Sequence, residues 1–201
     1  VTGFGWLSLV VALAQTGPVY TPPGSHPYRV SSASMEPTYR EGDVLMADRP
    51  RGDCGSTVPE AGDVVIFQRN RTPWVIRAVA GPGQTVQVVD GVLIIDGQAV
   101  KREKTATAAA TVPGFPETIF WRETLPNGRS YMTTDFGPGL DLDNTLEVTV
   151  PTGRWFVVGD NRDNSVDSRV FGPVAESDLC GVVTKIVTDD PATAPKTEVP
   201  A

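Results

Sequence analysis

Tyr28-Arg-Val-Ser-Ser-Ala-Ser-Met-Glu-Pro-Thr38 opens as an alternating strand and is broken by Pro37. It places three serines, Ser31, Ser32 and Ser34, within four positions. The same strand-then-turn rhythm continues after it. The turn Glu41-Gly42-Asp43 leads into Val44-Leu-Met-Ala47, and Gly62-Asp63 leads into Val64-Val-Ile-Phe67. Residues 74–80 read as a strand closed by Gly81-Pro-Gly83. Two further runs, 85–89 and 92–95, flank Asp90-Gly91 as a hairpin that exits through Asp96-Gly97. No helical period competes, so the fold class is mostly β, an antiparallel meander.

Outward from there the chain changes character three times. Residues 101–148 are polar, rich in Thr and Ala and weakly periodic, which suggests an inserted, smaller β subdomain. Core character returns at Arg154–Val158, a dense polar run follows at 159–172, and 180–187 is a last strand. From Asp189 the chain is Pro, Ala, Thr and charge, a tail expected to be disordered. At the other end, residues 4–14 are apolar and uncharged, too short to span a bilayer by themselves. They read as part of an anchor, as a signal-peptide core with Ala12-Leu-Ala14 as a small-x-small site, or as a buried helix. Residues 15–27, rich in Pro and Gly and holding His26, read as a linker.

Bulk properties narrow the function. The chain has 201 residues, 40% hydrophobic and 20% charged, which suffices for one folded domain with an insertion. A net charge of -7 argues against a nucleic-acid surface, which needs clustered Lys and Arg. Two cysteines, Cys54 and Cys180, allow either a disulfide outside the cytosol or two buried thiols. One histidine and no Cys pair at ligand spacing give no zinc site, and no metal or cofactor is expected. A serine nucleophile among Ser31, Ser32 and Ser34 would need a base for its proton, a donor for the oxyanion and a groove for the substrate.

Three separated blocks supply most of those parts. Ser32-Ala-Ser-Met-Glu-Pro-Thr38, Gly62-Asp-Val-Val-Ile-Phe67 and Gly159-Asp-Asn-Arg-Asp-Asn-Ser-Val-Asp-Ser-Arg-Val-Phe-Gly172 resemble, in order and spacing, the conserved boxes of bacterial type I signal peptidases. Val92-Leu-Ile-Ile-Asp-Gly-Gln-Ala-Val-Lys-Arg102 and Arg122-Glu-Thr-Leu-Pro-Asn-Gly128 resemble the proteobacterial form. The resemblance covers about residues 28–188. It implies a signal-peptidase-like antiparallel β core, residues 28–100 and 149–188, with the subdomain 101–148 inserted. It implies a Ser/Lys dyad that cuts Ala-x-Ala signal peptides from exported preproteins. The implied partners are signal peptides and a membrane surface, with no nucleic acid and no metal. The implied location is the inner membrane, with the catalytic-type domain on the extracytoplasmic side.

Carried over by position, Ser34 matches the nucleophile, and its own N–H and the Ser32 hydroxyl match the oxyanion donors. Ser165 matches the serine that hydrogen-bonds the dyad lysine. Tyr28, Val30, Leu45, Ile66 and Val75 match the groove. Arg77 with Asp160, and Asp167 with Arg169, match structural ion pairs. The match breaks at the base. The family's lysine immediately precedes the arginine of a Tyr-Ile-Lys-Arg-like strand, and here Trp74-Val-Ile-Arg77 puts Ile76 in that place. A shift by one residue would swap the strand's faces, and arginine is a very poor base. Smaller departures are Ser31 in place of proline and Ala33 in place of glycine. The expectation is therefore a signal peptidase I-like serine endopeptidase of doubtful activity. The alternative is an inactive homologue that binds signal peptides or a partner protein.

Overall fold

Alternating segments become fourteen β-strands in a computed structural model that describes residues 25–48, 54–109, 112 and 114–187. The apolar run 4–14, the Pro/Gly segment up to residue 24, residues 49–53 and the tail from 189 lie outside the described residues. The strands are β1 (Ser25–Arg29), β2 (Val44–Asp48), β3 (Val64–Arg69), β4 (Thr72–Ala80), β5 (Thr85–Val89), β6 (Val92–Ile95) and β7 (Gln98–Ala99). They continue as β8 (Lys101–Ala109), β9 (Glu117–Thr124), β10 (Ser130–Asp135), β11 (Val148–Thr149), β12 (Arg154–Val158), β13 (Val174–Ala175) and β14 (Leu179–Val187). Among the described residues the single α-helix, α1 (Ser168–Phe171), is one turn long.

A seven-stranded sheet in the order β1-β2-β14-β3-β4-β12-β13 carries the serine block. A four-stranded sheet, β11-β5-β6-β7, and a three-stranded sheet, β10-β9-β8, are the others among the described residues. Tight turns follow the sequence. Asp90 and Gly91, at φ 48° and 75°, join β5 to β6, and both need the left-handed region that this two-residue turn demands. Asn70 and Arg71, at φ 51° and 64°, do the same between β3 and β4.

The linker expected up to Pro27 ends sooner than expected. Ser25–Pro27 belong to β1 and pair with Met46–Asp48, Ser25 opposite Asp48. Pro27 survives there because β1 is an edge strand, where a missing N–H leaves no partner unsatisfied. The strand expected from Tyr28 to Ser31 correspondingly stops at Arg29.

Two apolar clusters flank β4 and β12. One packs Val79, Ala80, Phe156 and Val158 against Val86, Val88, Leu93 and Ile95 of the four-stranded sheet, with Leu125 and Tyr131 closing it. The other packs Val65, Phe67, Ile76 and Ala78 with Trp155, Val157, Val174 and Leu179. Strand alternation makes the division: Ile76 and Ala78 face one way, Arg77 and Val79 the other. A third, smaller cluster of Ala47, Ile66 and Cys180 lies against Tyr28, Cys54, Val75 and Val183. Among the described residues no helix is long and apolar enough to cross a membrane.

Candidate active site

Ser34 sits in a single 3-10 turn, Ala33–Met35, after an extended Ser32 (φ -154°, ψ 163°). That change of backbone brings the two hydroxyls together, with Ser32 Oγ 3.1 Å from Ser34 Oγ. Met35, fully buried, pins the turn to the core. From the other side Asn161 holds it: its backbone N–H donates to Ser34 O at 3.0 Å and its Nδ2 to Ala33 O at 3.1 Å.

The block 159–169 is itself held by buried charge. Arg77 donates from Nε to Asp160 Oδ1 (2.7 Å) and from Nη2 to Asp160 Oδ2 (2.6 Å), a two-point grip on a fully buried carboxylate. Thr38 Oγ1 donates to the same Oδ2 at 2.5 Å, tying the serine loop to that pair. Burial works against the Arg77 charge, but Asp160 more than offsets it, so the guanidinium stays above its ordinary range. Arg77 also lies over the Tyr131 ring, 4.1 Å from its centre. Asp167 accepts from Gly159 N (3.0 Å) and from Arg169 Nε (2.9 Å) and Nη2 (2.8 Å).

Residues to which the sequence reading gave no role complete this frame. Arg162 donates to both Glu123 oxygens, at 2.9 and 2.6 Å, and its Nε donates to Gly159 O. Arg102 pairs with Glu123 and with Asp135. The Glu123 pairings join β9 of the three-stranded sheet to the 159–169 block. The available signal was Glu123 itself, an acidic residue between Trp121 and Leu125 on one face of an alternating strand.

Ile76, where the sequence reading expects the family's lysine, lies in a closed position. Ile76 is 1% exposed and packed within the cluster of Phe67, Trp155, Val157 and Leu179. β12 pairs Val157 with Ala78 and Val158 with Arg77, so the register carried one step further sets Gly159 opposite Ile76. A Cβ on Gly159 would run into Ser165 Oγ and lie 2.7 Å from Ser34 O. Directly opposed residues of a pair face the same way. The side chain at 76 therefore points to the side where Ser165 and Ser34 meet. Among the described residues Ser165 Oγ is buried without a hydrogen-bond partner, and so is Asn161 Oδ1.

Among the described residues the Ser34 hydroxyl has one side-chain partner, Ser32 Oγ. Lys101 and Lys104 stand on β8, Lys185 on β14 and His26 on β1. None of these four is on β4, on β12 or in the 159–167 block. Both Asp160 oxygens are taken by Arg77 and Thr38. Among the described residues no group of three His, Cys, Asp or Glu is placed to hold a metal ion.

Of the expected groove residues, Tyr28, Ile66 and Val75 meet in the third cluster. Tyr28 and Val75 are half-buried. Val30, Leu45 and Ile66 are at most 3% exposed. Cys54 and Cys180 form a disulfide, which decides between the two options that the sequence left open.

Comparison with known proteins gives one family. The profile described as "Signal peptidase, peptidase S26" matches residues 5–188. The chain is 29% identical over 171 residues to a protein named Signal peptidase I of Rickettsia akari (strain Hartford), covering 72% of this chain and 64% of that protein. It is 32% identical over 129 residues to Signal peptidase I of Rickettsia bellii (strain OSU 85-389), covering 60% and 44%. The chain thus spans about half to two thirds of the length of these relatives. A crystal structure of a signal peptidase I from Enterococcus faecalis V583 is 26% identical, with a TM-score of 0.40, covering 64% of this chain and 98% of that one.

Proposed function

Because the chain belongs to the peptidase S26 family of signal peptidases, we propose that it recognises Ala-x-Ala signal peptides of exported preproteins but does not cut them. The observation that carries this is Ile76, an apolar, buried side chain on the side of β4 that faces Ser34 and Ser165. Attack by Ser34 Oγ on a peptide carbonyl requires that its proton leave as the new C–O bond forms. Isoleucine has no lone pair to take it. A positioned base is worth roughly 10²–10⁴-fold. The rest of the machinery supports recognition: the Ser32–Ser34 hydroxyl pair, with Ser32 and the Ser34 N–H as oxyanion donors, and the half-buried Tyr28 and Val75 as groove walls. Arg77, Asp160, Asp167 and Arg169 hold this arrangement together without touching substrate.

The disulfide supports a location outside the cytosol, since such bonds persist in oxidising compartments. An extracytoplasmic domain at the inner membrane, next to emerging signal peptides, is the setting that agrees with it. A second reading, slow cleavage with water as the proton acceptor, is favoured by the solvent exposure of the Ser32–Ser34 hydroxyl pair.

The test is titration of the full chain with a synthetic signal peptide ending in Ala-x-Ala, followed by recovery of the peptide. Saturable binding with the peptide recovered intact is expected. Recovery of cut peptide contradicts the inactive reading, and absence of binding contradicts recognition.

A further inference from the structure

We propose that the Cys54–Cys180 disulfide is a wall of the peptide groove and limits the size of the side chain admitted there; the inference rests on the signal-peptide reading above. Cys180 is the extra residue of a bulge in β14. Leu179 pairs with Phe67 and Gly181 with Ile66, leaving Cys180 between them without an opposite number on β3. Bulges re-aim side chains. Leu179 joins the cluster around Ile76, and Cys180 turns to the opposite face with Ala47 and Ile66.

On that face the disulfide touches the expected groove. Tyr28 and Val75 pack beside Cys54 on the same cluster. Between them lie Ala47 of β2 and, at the centre, Ile66 of β3, with Gly181 of β14 opposite it. The flanks are tall: an aromatic ring on β1, a branched chain on β4 and the bridged sulfurs. With Ile66 filling the floor, little depth is left between these apolar sides, which suits a small side chain. Cys54 is carried by a segment pressed onto the sheet, with Gly55 N donating to Leu179 O at 2.7 Å. Gly55 has φ +88°, and a Cβ there would stand 3.2 Å from Ser177 Cα, so the segment lies close against the backbone of residue 177. A covalent bridge cannot rotate away as a free side chain can, which makes this side of the groove rigid. No oxidation or reduction step is part of the role; the closed bridge acts by its bulk.

The test compares the full native chain with Cys54→Ala/Cys180→Ala. The probes are synthetic signal peptides identical except for Ala, Val or Leu at each alanine of Ala-x-Ala, with affinities read by fluorescence titration. One methylene in an apolar pocket is worth roughly 10-fold or more, so the native chain is expected to prefer Ala over Leu by at least that. At one of the two positions the double variant should lose most of that preference, with the Leu peptide gaining. The ratio of affinities is the readout, because loss of folded chain lowers both affinities equally. Native chain reduced with dithiothreitol should lose the same preference and regain it on reoxidation. An unchanged ratio in both the double variant and the reduced chain overturns the wall while leaving recognition standing. Failure of every peptide to bind the native chain overturns both.

Discussion

Replacing Ile76 by lysine should restore cleavage. The side chain at 76 lies on the face where, among the described residues, Ser165 Oγ is buried without a partner and the Ser34 carbonyl comes close to Gly159. A lysine stem keeps most of the apolar packing against Phe67 and Val157, so little of the roughly 1.5–3 kcal/mol of isoleucine burial is lost. The amine costs more than the lost packing. An uncompensated buried charge costs about 3–5 kcal/mol. Hydrogen bonds from the charged amine to the Ser165 and Ser34 hydroxyls would each return about 1.5–3 kcal/mol, so the net loss at neutral pH is at most about 2 kcal/mol. Burial pushes the amine down from its ordinary value, toward the neutral form that a base requires. With the folded-state value depressed, the destabilisation is full below that value and disappears as pH rises through the unfolded lysine range. Activity should rise with pH over the same interval. The expected gain is about 10²–10⁴-fold over the native chain. Cleavage of a preprotein by Ile76→Lys, followed on gels from pH 6 to 10, measures it, with Ile76→Lys/Ser34→Ala as the blank. A folded Ile76→Lys chain that is as silent as the native one, and whose stability shows no added pH dependence, would refute the placement of residue 76 beside Ser34.

Asp160→Asn leaves the Arg77 charge 5% exposed and unpaired, a loss of about 3–5 kcal/mol. In a thermal melt that is about 6–20 °C for a domain of this size. Burial raises the Asp163 carboxyl above its ordinary range, despite the bond that Phe136 N donates to it. The fold therefore loses stability as pH rises through the carboxylate range, where the unfolded chain ionises first. Asp163→Asn, which removes that ionisation, should melt higher than the native chain at pH 7 and equal to it at low pH; a constant difference across pH refutes the assignment. The disulfide spans 126 residues of chain, and its removal should lower stability by about 2–5 kcal/mol, read by denaturant titration with and without dithiothreitol.

Much of the fold was legible because turn chemistry and alternation are local. The hairpin of 85–89 and 92–95 about Asp90-Gly91 stands where those residues place it. β8 was not legible: Lys101–Ala109 is exposed along nearly its whole length, so no apolar alternation marks it, and only pairing with β9 makes it a strand. β1 began earlier than its sequence suggested because an edge strand accepts Pro27. Within the site, Ile76 could be read from the register of Arg77, whereas the Glu123–Arg162 pair could not. The two residues are 39 positions apart, and their meeting depends on how the three-stranded sheet docks on the 159–169 block. The bulge that turns Cys180 toward Ala47 and Ile66 has no sequence signature, since it appears only when Leu179 and Gly181 both find partners on β3.

With isoleucine at position 76, Ser34 is proposed to have no base and the chain not to cut. The most direct test is cleavage of a preprotein carrying an Ala-x-Ala signal peptide, with the full native chain and Ser34→Ala run side by side at high enzyme concentration. Equal, background-level product from both is the predicted result. Product from the native chain that vanishes in Ser34→Ala would contradict it, and would mean that a group other than residue 76 takes the Ser34 proton.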